Sequence, residues 1–284
     1  MSSAPTASLL RSWLFCPGSQ PARFEKAAAS GADAVIVDLE DAVGANDKEA
    51  ARGAALAWLA GTPRAGIVRC VRPNGLRTST GLRDVLGLVD AGVAPDFLVL
   101  PKTESADELA LLDAILIGPC AQARFLPLIE TARGVGAAEA LAAHPRVAGL
   151  VLGGADLMAE LGATMAWEPL LYARSRLVHA AATTGIAVVD VPHLAIGDEA
   201  GLRDETARVQ RLGFTGKLAI HPSQVAAIHD AFTPNAAEVA HAHRIVAALD
   251  AAGGGVVVVD GKMVDAPVVR AARRILARAE RGRP

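Results

Sequence analysis

Two carboxylates in this chain sit where a reacting centre could use them. The apolar run Phe125-Leu126-Pro127-Leu128-Ile129 ends on Glu130, and Thr131-Ala132-Arg133-Gly134 follows. A second run, Ala148-Gly149-Leu150-Val151-Leu152, ends at Gly153-Gly154-Ala155-Asp156. The two acids are 26 residues apart, the span of one strand–helix repeat, so neighbouring strands would deliver them to one edge. Hard oxygen ligands of this kind suit Mg²⁺, which takes one or two carboxylates and keeps several waters. The competing reading is that each acid caps the helix after its strand.

Such a pair needs a scaffold that brings strand ends together, and the chain reads as one. Apolar runs at 12–16, 34–38, 66–71, 97–100, 125–129, 148–152, 186–189 and 217–220 alternate with helical patterns at 21–30, 48–60, 81–91, 106–117, 135–143, 169–184 and 199–212. Pro21 opens the first helix, and Gly31 and Gly61 stop the first two. Eight strands alternating with helices predict an α/β fold, a (β/α)₈ TIM barrel. No Gly-x-Gly-x-x-Gly turn follows an early strand, which disfavours an open dinucleotide-binding sheet. Asp38, Arg72, Lys102, Glu130, Asp156, Asp190 and His221 all fall near strand C-terminal ends, the active-site face of such barrels.

Three segments are expected: a flexible N-terminus at 1–10, the barrel at 11–222 and a C-terminal extension at 223–284. The extension reads as a helical stretch at 222–248, a break at Gly253-Gly254-Gly255, a hairpin at 256–264 around Asp260-Gly261, and a last helix at 268–279. An apolar hairpin and helix outside a closed barrel must cover something, either a neighbouring subunit or the chain's own barrel mouth.

The whole-chain balance narrows the function classes. With 284 residues, 52% hydrophobic and 20% charged, a large core is within reach and general disorder is excluded. A net charge of −2 argues against charge-driven binding to nucleic acid or a membrane surface. Cys16, Cys70 and Cys120 are scattered and odd in number, as reduced thiols are in a cytoplasmic protein. No run reaches the length of a membrane span, and 1–10 lacks the apolar segment of a secretory signal.

Several segments, in one order, carry a resemblance: Arg11-Ser12-Trp13-Leu14-Phe15-Cys16-Pro17-Gly18, Val37-Asp38-Leu39-Glu40-Asp41-Ala42-Val43, Arg72-Pro73-Asn74, Glu130-Thr131-Ala132-Arg133-Gly134 and Gly216-Lys217-Leu218-Ala219-Ile220-His221-Pro222-Ser223-Gln224. Together they resemble the citrate lyase β-subunit family of the HpcH/HpaI aldolase superfamily, which contains malyl-CoA and citramalyl-CoA lyases. The likeness runs from about Arg11 to the C-terminus. It implies a Mg²⁺-dependent lyase that cleaves a β-hydroxyacyl-CoA into a 2-oxo acid, pyruvate or glyoxylate, and an acyl-CoA. On that resemblance the metal ligands fall on Glu130 and Asp156, and the substrate contacts on Arg72 and Glu130. Met263-Val264-Asp265 is similar to the family motif whose aspartate enters a neighbouring subunit's site, which implies a homotrimer or hexamer. Two departures, Cys16 where valine is common and Pro73 beside Arg72, remove no chemical group.

The implied chemistry suits the residue types. Retro-aldol cleavage needs a Lewis acid on the emerging 2-oxo acid, which Mg²⁺ on Glu130 and Asp156 would supply. The thioester enolate needs fixed positive charge, and Arg72 is always protonated and planar. Asp265 could protonate the enolate carbon, while Glu40 and Asp41 would orient Arg72 or hold metal waters. Arg23 and Lys26, one helical turn apart, are candidates for coenzyme A phosphates; a solvated helix face is the alternative. Equally, Arg72 could be a rim ion pair with Asp38 or Glu40, and Asp265 before Ala266-Pro267 a helix N-cap. Lys102 raises a Schiff-base reading, which requires a depressed amine pKa and has no counterpart in the resemblance. His221 reads as a structural residue of the rim, and His241 and His243 as part of a packed surface helix. Two further readings stand beside the CoA lyase: a citryl-carrier-protein lyase subunit of a citrate lyase complex, and a non-catalytic metal-binding barrel.

Overall fold

A computed structural model describes residues 6–253 and 255–281. The chain divides into two compact units, Met1–His229 and Asp230–Pro284.

The first unit is built on eight parallel strands. They are β1 Ser12–Pro17, β2 Ala34–Asp38, β3 Val68–Arg72, β4 Phe97–Leu100, β5 Arg124–Ile129, β6 Gly149–Leu152, β7 Ala187–Asp190 and β8 Gly216–Ala219. They pair in chain order, and β8 closes on β1 with Ser12 opposite Lys217. Helices join successive strands, so both faces of the barrel wall are covered and most strands read as near-continuous apolar runs, with charges such as Arg69 in β3 and Lys217 in β8 as exceptions. Every residue of β2, β4, β6, β7 and β8 is buried. The core of the barrel packs Trp13, Ile36, Phe97 and Leu126 with Ala7 and Leu10. Trp13 meets Phe97 edge-on at 5.6 Å, a preferred aromatic geometry. Residues 1–5 of the expected flexible N-terminus lie outside the described residues. Ala7–Leu9, by contrast, form a 3₁₀ turn, and Leu10 is buried, because this stretch supplies apolar bulk to the core.

Three local differences from expectation have physical causes. A helix, Gly154–Leu161, begins directly after β6; the Gly153-Gly154 pair hides it, since glycine is a poor helix former. Asp156 therefore lies in a helix's first turn and not at a strand end. The stretch expected as one helix at 222–248 is two, Gln224–Phe232 and Ala236–Ala251. Pro234 interrupts it, and Asn235 restarts the second helix with a reciprocal capping box to Glu238. The first helix splits into a 3₁₀ turn, Pro21–Arg23, and Phe24–Ala28.

The barrel unit continues past the expected boundary at 222 because Gln224–Phe232 is tied to it. The Gln224 side-chain amide donates to the His193 carbonyl at 2.7 Å and accepts from the Ile220 N–H at 2.9 Å. His229 Nε2 lies 2.7 Å from Ser12 Oγ, which itself accepts from the Asp33 N–H. Asp33 Oδ1 is 3.5 Å from that same ring nitrogen. Asp190, at the end of β7, is taken up by a buried ion cluster. Arg174 grips it at 2.9 and 3.1 Å, Lys217 lies 2.8 Å away, and Glu205 pairs with both cations at 2.7 and 3.4 Å. His221 is held in a local turn with Ser223.

The second unit pairs Ala236–Ala251 with Ala266–Arg281. It carries an antiparallel hairpin, β9 Val257–Val259 and β10 Lys262–Val264. Asp260 and Gly261 at its tip have φ of 50° and 74°, as a tight Asp-Gly turn requires. Ile245, Val259, Val264 and Val269 form its core, while Val256, Val258 and Met263 are exposed. Of the expected glycine break, Gly254 lies outside the described residues.

Candidate active site

The barrel mouth is assembled strand by strand. The β2–β3 register puts Asp38 opposite Arg72. The side chains close a fork, Nε to Oδ1 and Nη2 to Oδ2, each 2.7 Å. Asp38 also accepts the Glu40 and Ala42 N–H groups, so one carboxylate both holds the arginine and shapes the loop after β2. That loop returns Glu40 Oε2 to 3.0 Å from Arg72 Nη1. Lys48 fixes the loop by donating to the Leu39 and Glu40 carbonyls. On its other side the guanidinium lies 4.8 Å from the Phe15 ring centre, within cation–π range. Burial works against the Arg72 charge, but Asp38 and Glu40 outweigh it and raise its pKa.

Glu130 follows β5 and is buried. Thr131, not Glu130, caps the next helix by accepting the Gly134 N–H at 3.0 Å, so the capping reading does not apply to this acid. A Cβ on Gly153 would stand 2.6 Å from Glu130 Oε2; glycine after β6 makes room for the carboxylate. Asp156, one turn into the helix after Gly153, is half-buried and makes no cap hydrogen bond.

Lys102 joins these acids. Its backbone, at φ 49°, is in the left-handed region, where its N–H donates to Glu130 Oε1 at 2.9 Å. Its Nζ lies 3.0 Å from Asp156 Oδ2, 3.1 Å from Glu40 Oε1 and 3.8 Å from Glu130 Oε1. Burial would lower the Lys102 pKa, but hydrogen bonds to Asp156 and Glu40 raise it. That is the reverse of what a Schiff-base lysine needs. Burial, then the neighbouring Glu40 charge, push Glu130 up to about 8. Burial likewise raises Glu40, whose Oε2 is a buried acceptor without a hydrogen bond.

This donor set fits Mg²⁺. An ammonium already stands among the hard oxygens, and Glu130 is a desolvated carboxylate whose charge a cation would relieve. Among the described residues no three His, Cys, Asp or Glu side chains form a closed cage. An ion here would rest on two carboxylates and water, as Mg²⁺ accepts. The acids and Arg72 open onto a cavity of about 470 Å³, whose apolar lining includes Phe15, Leu128 and Leu218.

Sequence reasoning thus placed Glu40, Arg72, Glu130 and Asp156 at one mouth, and they do converge. Arg23 and Lys26 line a second cavity of about 390 Å³ that shares Phe15, Pro17 and Ile220 with the first. Asp265 belongs to the second unit; it precedes the helix Ala266–Arg281 and accepts from the Val268 N–H at 3.4 Å. The pairing of Arg72 with Asp38 or Glu40, read from the sequence as an alternative, is present with both acids. The role that escaped the sequence reading is that of Lys102, whose signal was only its place after β4.

A closed parallel barrel with clustered carboxylates and a held arginine at its C-terminal mouth defines a metal-assisted (β/α)₈ enzyme of the aldolase and lyase class. The chain belongs to the HpcH/HpaI aldolase/citrate lyase family, whose model matches residues 11–222. It is 37% identical to an L-malyl-CoA/beta-methylmalyl-CoA lyase of Cereibacter sphaeroides, over 98% of this chain and 96% of that one. It is 38% identical to a (3S)-malyl-CoA thioesterase of the same species, over 95% and 94%. Among solved structures, CitE from Mycobacterium tuberculosis in complex with magnesium, acetoacetate and coenzyme A matches at 36% identity. The TM-score is 0.81, covering 95% of this chain and 98% of that one.

Proposed function

We propose that this protein is a Mg²⁺-dependent carbon–carbon lyase that cleaves a malyl-CoA- or citramalyl-CoA-type thioester into glyoxylate or pyruvate and an acyl-CoA. The observation that carries the reading is the convergence of Glu130 and Asp156 on one cation position beside the Arg72 fork. The similarity to a malyl-CoA lyase and to a magnesium- and coenzyme A-bound CitE supports it.

Cleavage breaks the bond between the α and β carbons of the thioester. The β-hydroxyl gives its proton to solvent base, the Cα–Cβ bonding pair becomes the thioester enolate, and the α carbon gains one proton, so no net proton is consumed. Glu130 and Asp156 would hold Mg²⁺, which supplies Lewis acidity to the 2-oxo acid fragment. Arg72, oriented by Asp38 and Glu40, presents fixed positive charge to the enolate oxygen. Asp265 of a neighbouring copy delivers the proton to the enolate carbon. This asks the hairpin unit to reach a second subunit; the family resemblance implies a homotrimer or hexamer as the working form. The exposed apolar residues of that hairpin support this assignment. Arg23 and Lys26 line the cavity next to the acids and offer cations to the coenzyme A phosphates. The three free, buried cysteines fit a cytoplasmic enzyme.

The test is a panel of malyl-, β-methylmalyl- and citramalyl-CoA incubated with Mg²⁺ and assayed separately for 2-oxo acid and for free thiol. One 2-oxo acid released per thioester consumed, and none after chelation, is the expected result. Free thiol without 2-oxo acid would instead make the protein a thioester hydrolase, the reading favoured by its likeness to the malyl-CoA thioesterase.

A further inference from the structure

Lys102 is placed with more constraint than a rim lysine needs. Its backbone adopts a left-handed conformation that non-glycine residues take uncommonly. That conformation points its N–H at Glu130 Oε1 while its side chain doubles back to the same acids. Asp156 Oδ2 and Glu40 Oε1 are both within about 3.1 Å of Nζ. No other ammonium or guanidinium pairs with Glu130 or Asp156 among the described contacts. The side chain is nonetheless 44% exposed, so its head has an open way out toward solvent.

We propose that Lys102 is a tethered stand-in for the metal: its ammonium occupies the cation position of the metal-free site and is exchanged out when Mg²⁺ binds. The inference rests on the assignment of Glu130 and Asp156 as the metal ligands. An ion at the short distances Mg²⁺ demands from both carboxylates takes the space between oxygens that already surround Nζ. Two cations cannot share that space, so the head group must leave as the ion arrives. The four-carbon stem allows this without moving the backbone, whose N–H can stay on Glu130. Without the ion the ammonium pairs with Asp156 and Glu40 and lies beside Glu130. Wild-type affinity for Mg²⁺ is accordingly reduced by the fraction of time Lys102 holds the site.

Calorimetric titration of Mg²⁺ into the metal-free protein tests the exchange. Lys102→Met should bind Mg²⁺ about tenfold more tightly than wild type or better, with Glu130→Ala as the control that loses binding. Wild type that binds Mg²⁺ while Lys102→Met binds equally or more weakly overturns the exchange and leaves the metal site standing. Wild type that fails to bind Mg²⁺ overturns the metal assignment itself. A second measurement needs no variant. Acylation of Lys102 by an amine-reactive reagent, followed by peptide mass spectrometry, should be several-fold faster with saturating Mg²⁺ than without it. An unchanged or slower rate shows that the ammonium stays where it is, and sinks the proposal.

Discussion

Asp38 and Arg72 face each other across the β2–β3 register and close a two-bond fork, 2.7 Å at each contact, with both side chains buried. The guanidinium cannot rotate, because Phe15 covers one side and Glu40 lies beside its free nitrogen. An arginine so fixed is both a rim ion pair and a preorganised cation, so the two sequence-level readings of Arg72 are not exclusive.

Arg72→Lys should lower turnover on the preferred thioester by about 10²-fold or more, since an ammonium cannot satisfy Asp38 bidentately and still face the enolate. Steady-state kinetics with Mg²⁺ at saturation check this. Turnover like that of wild type would leave Arg72 a structural residue only.

Glu130→Ala or Asp156→Ala should abolish Mg²⁺-dependent cleavage while keeping the circular dichroism spectrum and cooperative unfolding of wild type. Neither acid contributes apolar bulk to the core. Unaltered activity in either variant at limiting Mg²⁺ would remove that acid from the site.

Glu130 should also cost stability when the metal is absent. Its pKa is raised to about 8 in the fold, against about 4.3 in an unfolded chain. The folded state therefore binds the extra proton between those values, and stability falls as pH rises from near 4.3 through about 8. Glu130→Gln, which cannot ionise, should lose less stability than wild type between pH 5 and pH 8 in denaturant titrations with chelator present. Parallel profiles would contradict the raised pKa.

The sign reverses at Asp190. Its pKa is lowered because Lys217 and Arg174 outweigh the burial that would raise it. Its contribution is present above the unfolded value of about 3.9 and is lost as pH falls through the depressed folded value. Asp190→Asn should destabilise the barrel by roughly 3–5 kcal/mol at neutral pH, by stranding two buried cations, and should flatten the acid limb of the stability curve. Thermal unfolding from pH 2 to pH 7 measures both effects.

The role of the second unit is tested by complementation. Glu130→Ala and Asp265→Asn chains, each inactive alone, should regain part of the wild-type activity when co-refolded into mixed oligomers. Mixing pairs an intact mouth with an intact hairpin only if Asp265 serves a neighbouring copy. Proven mixed oligomers without activity would restrict Asp265 to its own chain or to its helix cap.

What the sequence by itself determined is the barrel and most of its mouth. The runs at 34–38 and 97–100 and the helices at 48–60 and 199–212 match the structure residue for residue. Strands buried on both faces are mostly apolar, and several of the helices stop at glycine, as at Gly61 and Gly213, so composition marks many of both. Glu130 was legible because it closes an apolar run at the barrel rim, whereas Asp190, closing β7, is taken into a buried ion cluster. Gly154–Leu161 was not legible, because two glycines mask a helix whose stability comes from packing of Leu157 and Met158. Only the tertiary structure decided which partner each charge takes. Asp38 and Glu40 are two residues apart, yet one grips Arg72 through two bonds while the other also reaches Lys102, 62 residues away. Lys102 could equally have been a free rim lysine; register across β4, β5 and β6 puts it at the centre of the acids. Pairings between distant residues depend on strand register and loop direction, and those are properties of the closed barrel rather than of any local run of residues.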